Sequence, residues 1–201
     1  MRPLLSLLVA SILTIPAVAQ PPVPPPTRYE LAPQLQTFGQ ATPKETLASA
    51  IKVIEKERFD FLAAQLIEYK FIDSRVRDRA KPLEEAIDAD LRKQREEQRQ
   101  DPIRFPLATR LPDDPKEFAA IVEKLAKQRA FKLIVKDVRG TFIEHPDHVK
   151  DFKKFLREGI FTETGDSASC THREIKDRAI YFKKIGEWWT IEDKQKPETK
   201  N

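Results

Sequence analysis

Apolar residues follow three patterns along this chain. Over residues 4–18 they form a run broken only by Ser6, Ser11, Thr14 and Pro16, over 42–156 they recur every three or four positions, and beyond Gly159 they alternate. Spacing of three to four marks one helix face, and alternation marks a strand. The pattern therefore predicts a helical region followed by a sheet.

The helical region divides at its start signals. Thr42 stands as N-cap before Pro43, with Glu45 as capping-box partner, and Leu47, Ala50, Ile51 and Ile54 form the buried face of a first helix. Asp60 is read as the cap of a short second helix with Phe61, Leu62, Ala64, Leu66 and Ile67 on its apolar side. A third, over about 74–100, carries Val76, Ala80, Leu83, Ile87 and Leu91 at helical spacing, with Pro82 as a point of kinking or breakage. The stripe stops after Leu91, so the polar stretch from Arg92 to Gln100 is expected to project into water.

Pro102, Pro106 and Pro112 make 101–113 a connector. Asp114 and Pro115 open the next helix, which buries Phe118, Ile121, Val122 and Leu125. Phe131, Ile134, Val135 and Val138 continue at helical spacing, although Gly140 and the β-branched content leave a strand open for 131–138. A last helix starts at Pro146, buries Val149, Phe152, Phe155 and Leu156, and ends with Gly159 in the left-handed position that often follows a helix.

The alternating region reads as two hairpins. Strands at 160–164 and 167–172 flank Gly165-Asp166, and strands at 179–185 and 188–193 flank Gly186-Glu187. Ile180 and Phe182 share one face with Tyr181 on the other, while Trp189 and Ile191 oppose Trp188. Aromatic residues on both faces imply that the second face is covered or used.

The first pattern has a different meaning. Arg2, an apolar core too short for a span of about 20 residues, and Ala17-Val18-Ala19 before Gln20 describe a cleavable export signal at 1–19. A secreted or periplasmic location follows, without stable membrane insertion after cleavage. Proline at five of the six positions 21–26 makes a spacer; 20–41 is expected to be a disordered linker and 194–201 a disordered tail. Between them, 42–193 is read as one α+β domain. Cys170 is the only cysteine, so no internal disulfide staples it, and it is read as a small, half-buried strand residue. The 36 basic and 32 acidic residues give a net charge of +4 and are mixed in sign, which argues against a nucleic-acid partner.

Three stretches carry a resemblance: Thr-Pro-Lys-Glu-Thr-Leu at 42–47, Phe-Asp-Phe-Leu-Ala-Ala at 59–64, and the closing hairpin from Tyr181 through Trp188 and Trp189 to Ile191. They resemble exported members of the nuclear-transport-factor-2-like superfamily. The resemblance implies an antiparallel sheet curled like a cone around helices, a fold that hosts small cavity enzymes. The mainly helical stretch 73–157 is longer than such a cone carries, and no position matches the acidic and histidine residues of the family's cavities, so it implies no catalytic residue here.

Chemical motifs are sparse. His145 and His148 flank Pro146 and suggest a metal pair, but no second ligand cluster accompanies them, and a helix-start loop explains the segment equally well. Cys170 and His172 would point the same way on a strand at roughly 6–7 Å, too far for a nucleophile and its base. Nucleophile-elbow, zinc-protease and phosphate-loop signatures are absent from the sequence.

The predicted architecture is thus α+β, about five helices followed by a four-stranded antiparallel sheet, with neither metal nor cofactor. The leading functional reading is a non-enzymatic module that binds an apolar small molecule or a protein partner, with Tyr181, Trp188 and His172 as candidate ligand-binding residues. The alternatives are a small cavity enzyme of the isomerase or dehydratase kind, and an envelope assembly protein that uses the charged helix 83–100.

Overall fold

The computed structural model describes residues 23–101, 103–105 and 110–194. The expected export signal, the first residues of the proline spacer and residues 195–201 lie outside that range. The architecture is α+β, as the apolar pattern predicts. Among the described residues five helices, α1 (Pro43–Glu55), α2 (Phe59–Phe61), α3 (Tyr69–Gln100), α4 (Pro115–Glu144) and α5 (Asp147–Glu158), precede an antiparallel sheet. Its strands β1 (Ile160–Thr164), β2 (Ser167–Thr171), β3 (Ile180–Ile185) and β4 (Trp188–Ile191) lie side by side in chain order.

The caps form where the sequence places them. Thr42 is extended and its hydroxyl accepts from the Glu45 amide at 3.1 Å, while the Glu45 carboxylate reaches back to the Ala41 amide at 3.1 Å. Asp114 Oδ1 accepts from the amides of Lys116 and Glu117 and so satisfies two of the open donors at the start of α4. Asp60 does not cap the second helix; it lies inside α2, ion-paired with Arg58.

Helices α3 and α4 pack as an antiparallel hairpin, with Arg99 meeting Asp113 at one end and Arg79 meeting Asp137 at the other. Ala80, Ala126 and Ala130 are fully or almost fully buried between larger neighbours such as Ile87 and Ile134. Helix α3 begins at Tyr69, earlier than the stripe suggests, and stays helical through Pro82. Residues 131–138 are helical and continuous with α4, which removes the strand alternative. The polar end of α3 is not a free tip. The connector folds back over it: Gln98 is 3% exposed and accepts the Leu111 amide at 2.8 Å, and the Arg95 guanidinium lies 4.4 Å from the Phe118 ring centroid. Long arginine stems cover apolar surface while their heads stay wet, which an apolar-stripe reading does not register.

A π-turn, Leu62–Leu66, follows α2. Wider i→i+5 turns leave carbonyls without regular helical partners, and here they are met from the segment expected to be a disordered linker. Arg28 Nη1 donates to the Ala64 carbonyl at 2.5 Å, and Gln40 Nε2 donates to the Gln65 carbonyl at 2.6 Å. Tyr29 and Glu30, both with positive φ, turn the chain tightly between the paired Arg28 and Leu31. The Tyr29 ring then stacks on Phe131 at 4.0 Å, and Phe38 is buried. The lead-in is a strap. It shows no sequence period because side-chain bonds to the backbone, rather than a helix or strand ladder, hold it.

The sheet lays one face on α1 and α5. Leu47, Ile51, Phe155, Cys170, Phe182 and Trp189 fill that interface, each no more than 6% exposed. No open space therefore separates the sheet from α1. Gly159 has φ −70°, not a left-handed value, and glycine is needed there for a different reason. A Cβ would lie 2.2 Å from the Phe155 carbonyl oxygen and 2.3 Å from Cys170 Sγ. Left-handed glycines occur instead at Gly165 and Gly186, the first residue of each two-residue hairpin turn.

Candidate functional site

Sheet register separates the three residues singled out from sequence. Tyr181 pairs with Ser169 and Trp188 with Ile185, so both stand on the outer face, but at opposite ends of the β3–β4 hairpin. Four positions along a strand is roughly 13 Å. Both side chains are half-buried, and the Trp188 indole donates to the Val23 carbonyl at 2.8 Å. His172 lies just past β2 on the inner side, 7% exposed, with its ring edge-on to Phe155. Its Nδ1 accepts the Glu174 amide at 3.1 Å, while Nε2 is 3.6 Å from a Glu158 oxygen and makes no hydrogen bond to a described residue. These three residues do not form one site.

Cys170 is fully buried rather than half-buried, and its thiol donates to the Phe155 carbonyl at 3.6 Å. Burial pushes its pKa up to about 12, with a small opposing pull from Lys44. A thiol held protonated is a poor nucleophile at neutral pH. The rings of His145 and His148 stand 5.1 Å apart, and among the described residues no group of three or more potential metal ligands forms around them.

The space suited to a ligand lies at the far end of the sheet. A cleft of about 550 Å³ opens where the last turn of α4, the face of α5, the chain entering β3 and the chain leaving β4 converge. Its floor is apolar, made by Phe142, Phe152, Phe155, Ile180 and Ile191. Pro146 breaks the chain between α4 and α5, and Phe142 on α4 packs edge-on to Phe152 on α5 at 6.1 Å. On α5, His148, Asp151, Phe152 and Phe155 stand at helical spacing, so the stripe that packs on the sheet also faces the cleft.

Charged groups form the rim. Arg178 bonds Asp151 at 2.9 Å through Nη1 and approaches Asp177 at 3.7 Å through Nε, and Lys194 lies 3.3 Å from Glu192. Asp193 makes neither a hydrogen bond nor an ion pair with any described residue. Desolvation raises its pKa, and the charge of Arg75 only partly opposes this. An apolar floor with a few convergent polar groups is the usual form of a small-molecule site.

Sequence reasoning missed Asp151, Arg178, Glu192 and Asp193. One signal was present: His148 and Asp151 interrupt the otherwise apolar stripe of α5. Among the described residues, no helix is long and apolar enough to cross a membrane. Comparison of the chain with protein-family models, curated proteins and solved structures finds no match.

Proposed function

We propose that this chain is an exported, non-catalytic binding protein that holds a small, largely apolar ligand in the cleft between α5 and the end of the sheet. The observation that carries the reading is the pairing of a cleft of about 550 Å³ with a floor of three phenylalanines and two isoleucines. That volume falls within the range of ligand pockets, and burial of an apolar body there gains roughly 25 cal/mol per Å² removed from water. The residues nearest to nucleophilic chemistry do not line the cleft: the Cys170 thiol is bonded to the Phe155 carbonyl and the His172 ring stands edge-on to the Phe155 ring. Export rests on the signal pattern at 1–19. The charged helix is less suited to assembly because Arg92, Arg95 and Arg99 are committed to Asp88, Phe118 and Asp113 of the same chain.

A neutral solvatochromic dye, Nile red, tests the binding reading. Ala179 lines the cleft, so Ala179→Trp fills it. The parent is expected to bind one dye per chain with a blue-shifted emission, and Ala179→Trp to lose that binding while keeping its circular dichroism. Equal dye binding by a folded Ala179→Trp variant refutes the reading.

A second reading, a cavity enzyme, is favoured by Asp193, an exposed carboxylate at the rim whose pKa desolvation raises and the charge of Arg75 lowers in part, because an acid beside an apolar cleft suits proton transfer. It requires that Asp193→Asn abolish turnover of a compound while leaving its binding intact; loss of binding alone points back to a binding protein.

A further inference from the structure

Resting on the cleft being a binding site, we propose that His172 is an acid-sensitive latch on residues 173–179, the segment that forms one wall of the cleft, so that mild acid loosens this wall and weakens ligand binding. Geometry holds the ring in one protonation state. Its Nδ1 accepts the Glu174 amide at 3.1 Å, so the single proton of the neutral ring sits on Nε2. The side chain is 3% exposed, and Nε2 has no hydrogen-bond partner among the described residues. A second proton would have to enter at Nδ1, where an N–H already points. Imidazolium and the bond to Glu174 therefore exclude one another.

The groups around the ring do not rescue the charged form in place. From α5 come the Phe155 ring, edge-on, and the Glu158 carboxylate, which is 63% exposed. That carboxylate faces Nε2 and leaves the clash at Nδ1 untouched. From β2 comes the protonated Cys170 thiol, and from α1 the positive charge of Lys44, which acts on that thiol and would oppose a second cation. Arg173 and Glu174, beside the ring in sequence, are exposed.

Little else holds the segment. Among the described residues, no other hydrogen bond ties a backbone amide of 173–178 to the rest of the domain. Ile175 packs against the sheet core and Arg178 pairs with Asp151 on α5. Asp177, Arg178 and Ala179 line the cleft, so a change at His172 reaches the site along the chain. An imidazole released into water takes up a proton near the ordinary histidine value of about 6.5, while the latched ring does not. The latched form is therefore fully favoured above that pH and loses ground as pH falls. Between pH 7.5 and pH 5 the opening equilibrium grows by about 30-fold.

Amide hydrogen exchange followed by NMR at the two pH values, corrected for the intrinsic rates, tests the latch. In the parent the Glu174 amide is expected to lose protection by about 30-fold at pH 5. His172→Asn offers an acceptor oxygen near the Nδ1 position without a titrating group, and its Glu174 protection is expected to stay constant. Nile red is expected to bind the parent several-fold more weakly at pH 5 than at pH 7.5, and His172→Asn equally at both. Constant Glu174 protection in the parent, or an equal loss in His172→Asn, overturns the proposal. So does a ring whose nitrogen shifts place the proton on Nδ1 at pH 7.5, a measurement that needs no variant. If Glu174 protection falls while Nile red binding does not, the segment opens without touching the site and the inference fails, with the binding reading intact. If Nile red binds at neither pH, the binding reading falls, and Glu174 exchange alone decides the latch.

Discussion

Replacing Arg28 tests whether the lead-in belongs to the folded domain. The Arg28 side chain is 9% exposed; its guanidinium donates to the Ala64 carbonyl at 2.5 Å and the Tyr69 carbonyl at 3.3 Å, pairs with Asp73, and lies 4.1 Å from the Tyr69 ring centroid. A hydrogen bond from a charged donor is worth about 1.5–3 kcal/mol, and a cation over an aromatic ring about 0.5–1 kcal/mol. The Asp73 carboxylate is half exposed, so that ion pair adds at most about 1 kcal/mol. These contributions overlap, because one anchored guanidinium makes all of them. Arg28→Ala is therefore expected to cost about 3 kcal/mol. For a chain of this length that is a fall in Tm of roughly 6–12 °C. Equilibrium urea unfolding followed by circular dichroism measures it. Arg28→Lys keeps the charge opposite Asp73 but lacks a fork to reach two carbonyls, and should lose about half as much. An Arg28→Ala variant within about 0.5 kcal/mol of the parent would refute the strap, since surface substitutions ordinarily fall in that range.

Gly159→Ala is expected to destabilise by about 1–3 kcal/mol through overpacking, because the new Cβ would lie 2.2 Å from the Phe155 carbonyl oxygen, although alanine tolerates φ −70° without strain; a neutral result in urea unfolding would mean the α5–β2 contact is looser than described. The Cys170 thiol predicts a pH dependence at the alkaline end. Its folded pKa is raised from 9.0 to about 12, so below pH 9 the thiol is protonated in both states and its contribution is complete. Above pH 9 the unfolded chain releases the proton first, and stability falls by roughly 1.4 kcal/mol per pH unit relative to a Cys170→Ala variant. A stability difference between parent and variant that stays flat from pH 9 to 10.5 would refute that burial.

Much of the fold can be read along the chain because its signals are local. The Thr42 and Asp114 caps, the glycines that open the two hairpin turns and the switch from helical to alternating spacing at Gly159 each act within a few residues of where they are written. Errors arose where distant segments decide the outcome. Gln98 looks like part of a polar tip until the connector brings the Leu111 amide to it. Arg28 and Gln40 look like linker residues until a π-turn more than 20 positions away presents unmatched carbonyls to them. Gly159 sits where a left-handed residue often ends a helix, but its constraint is space: a Cβ would meet the Phe155 carbonyl one turn back and Cys170 Sγ on the neighbouring strand.

The cleft is the extreme case, since its lining comes from four stretches with no common spacing and none is a motif by itself. Tyr181 and Trp188 are the aromatic residues of the outer sheet face, but strand register sets those two apart and turns them away from the cleft. Strap and cleft nevertheless meet through one residue. The Ile191 carbonyl accepts the Glu68 amide at 2.8 Å, just beyond the π-turn that Arg28 and Gln40 complete, and the Ile191 side chain forms part of the cleft floor. Ile191 is thus held from two sides, by its pairing with Phe182 in the sheet and by the bridge to Ile67 and Glu68 at the end of the π-turn. The strap that satisfies the carbonyls of that turn therefore abuts the site through Ile191, although neither Arg28 nor Gln40 lines it.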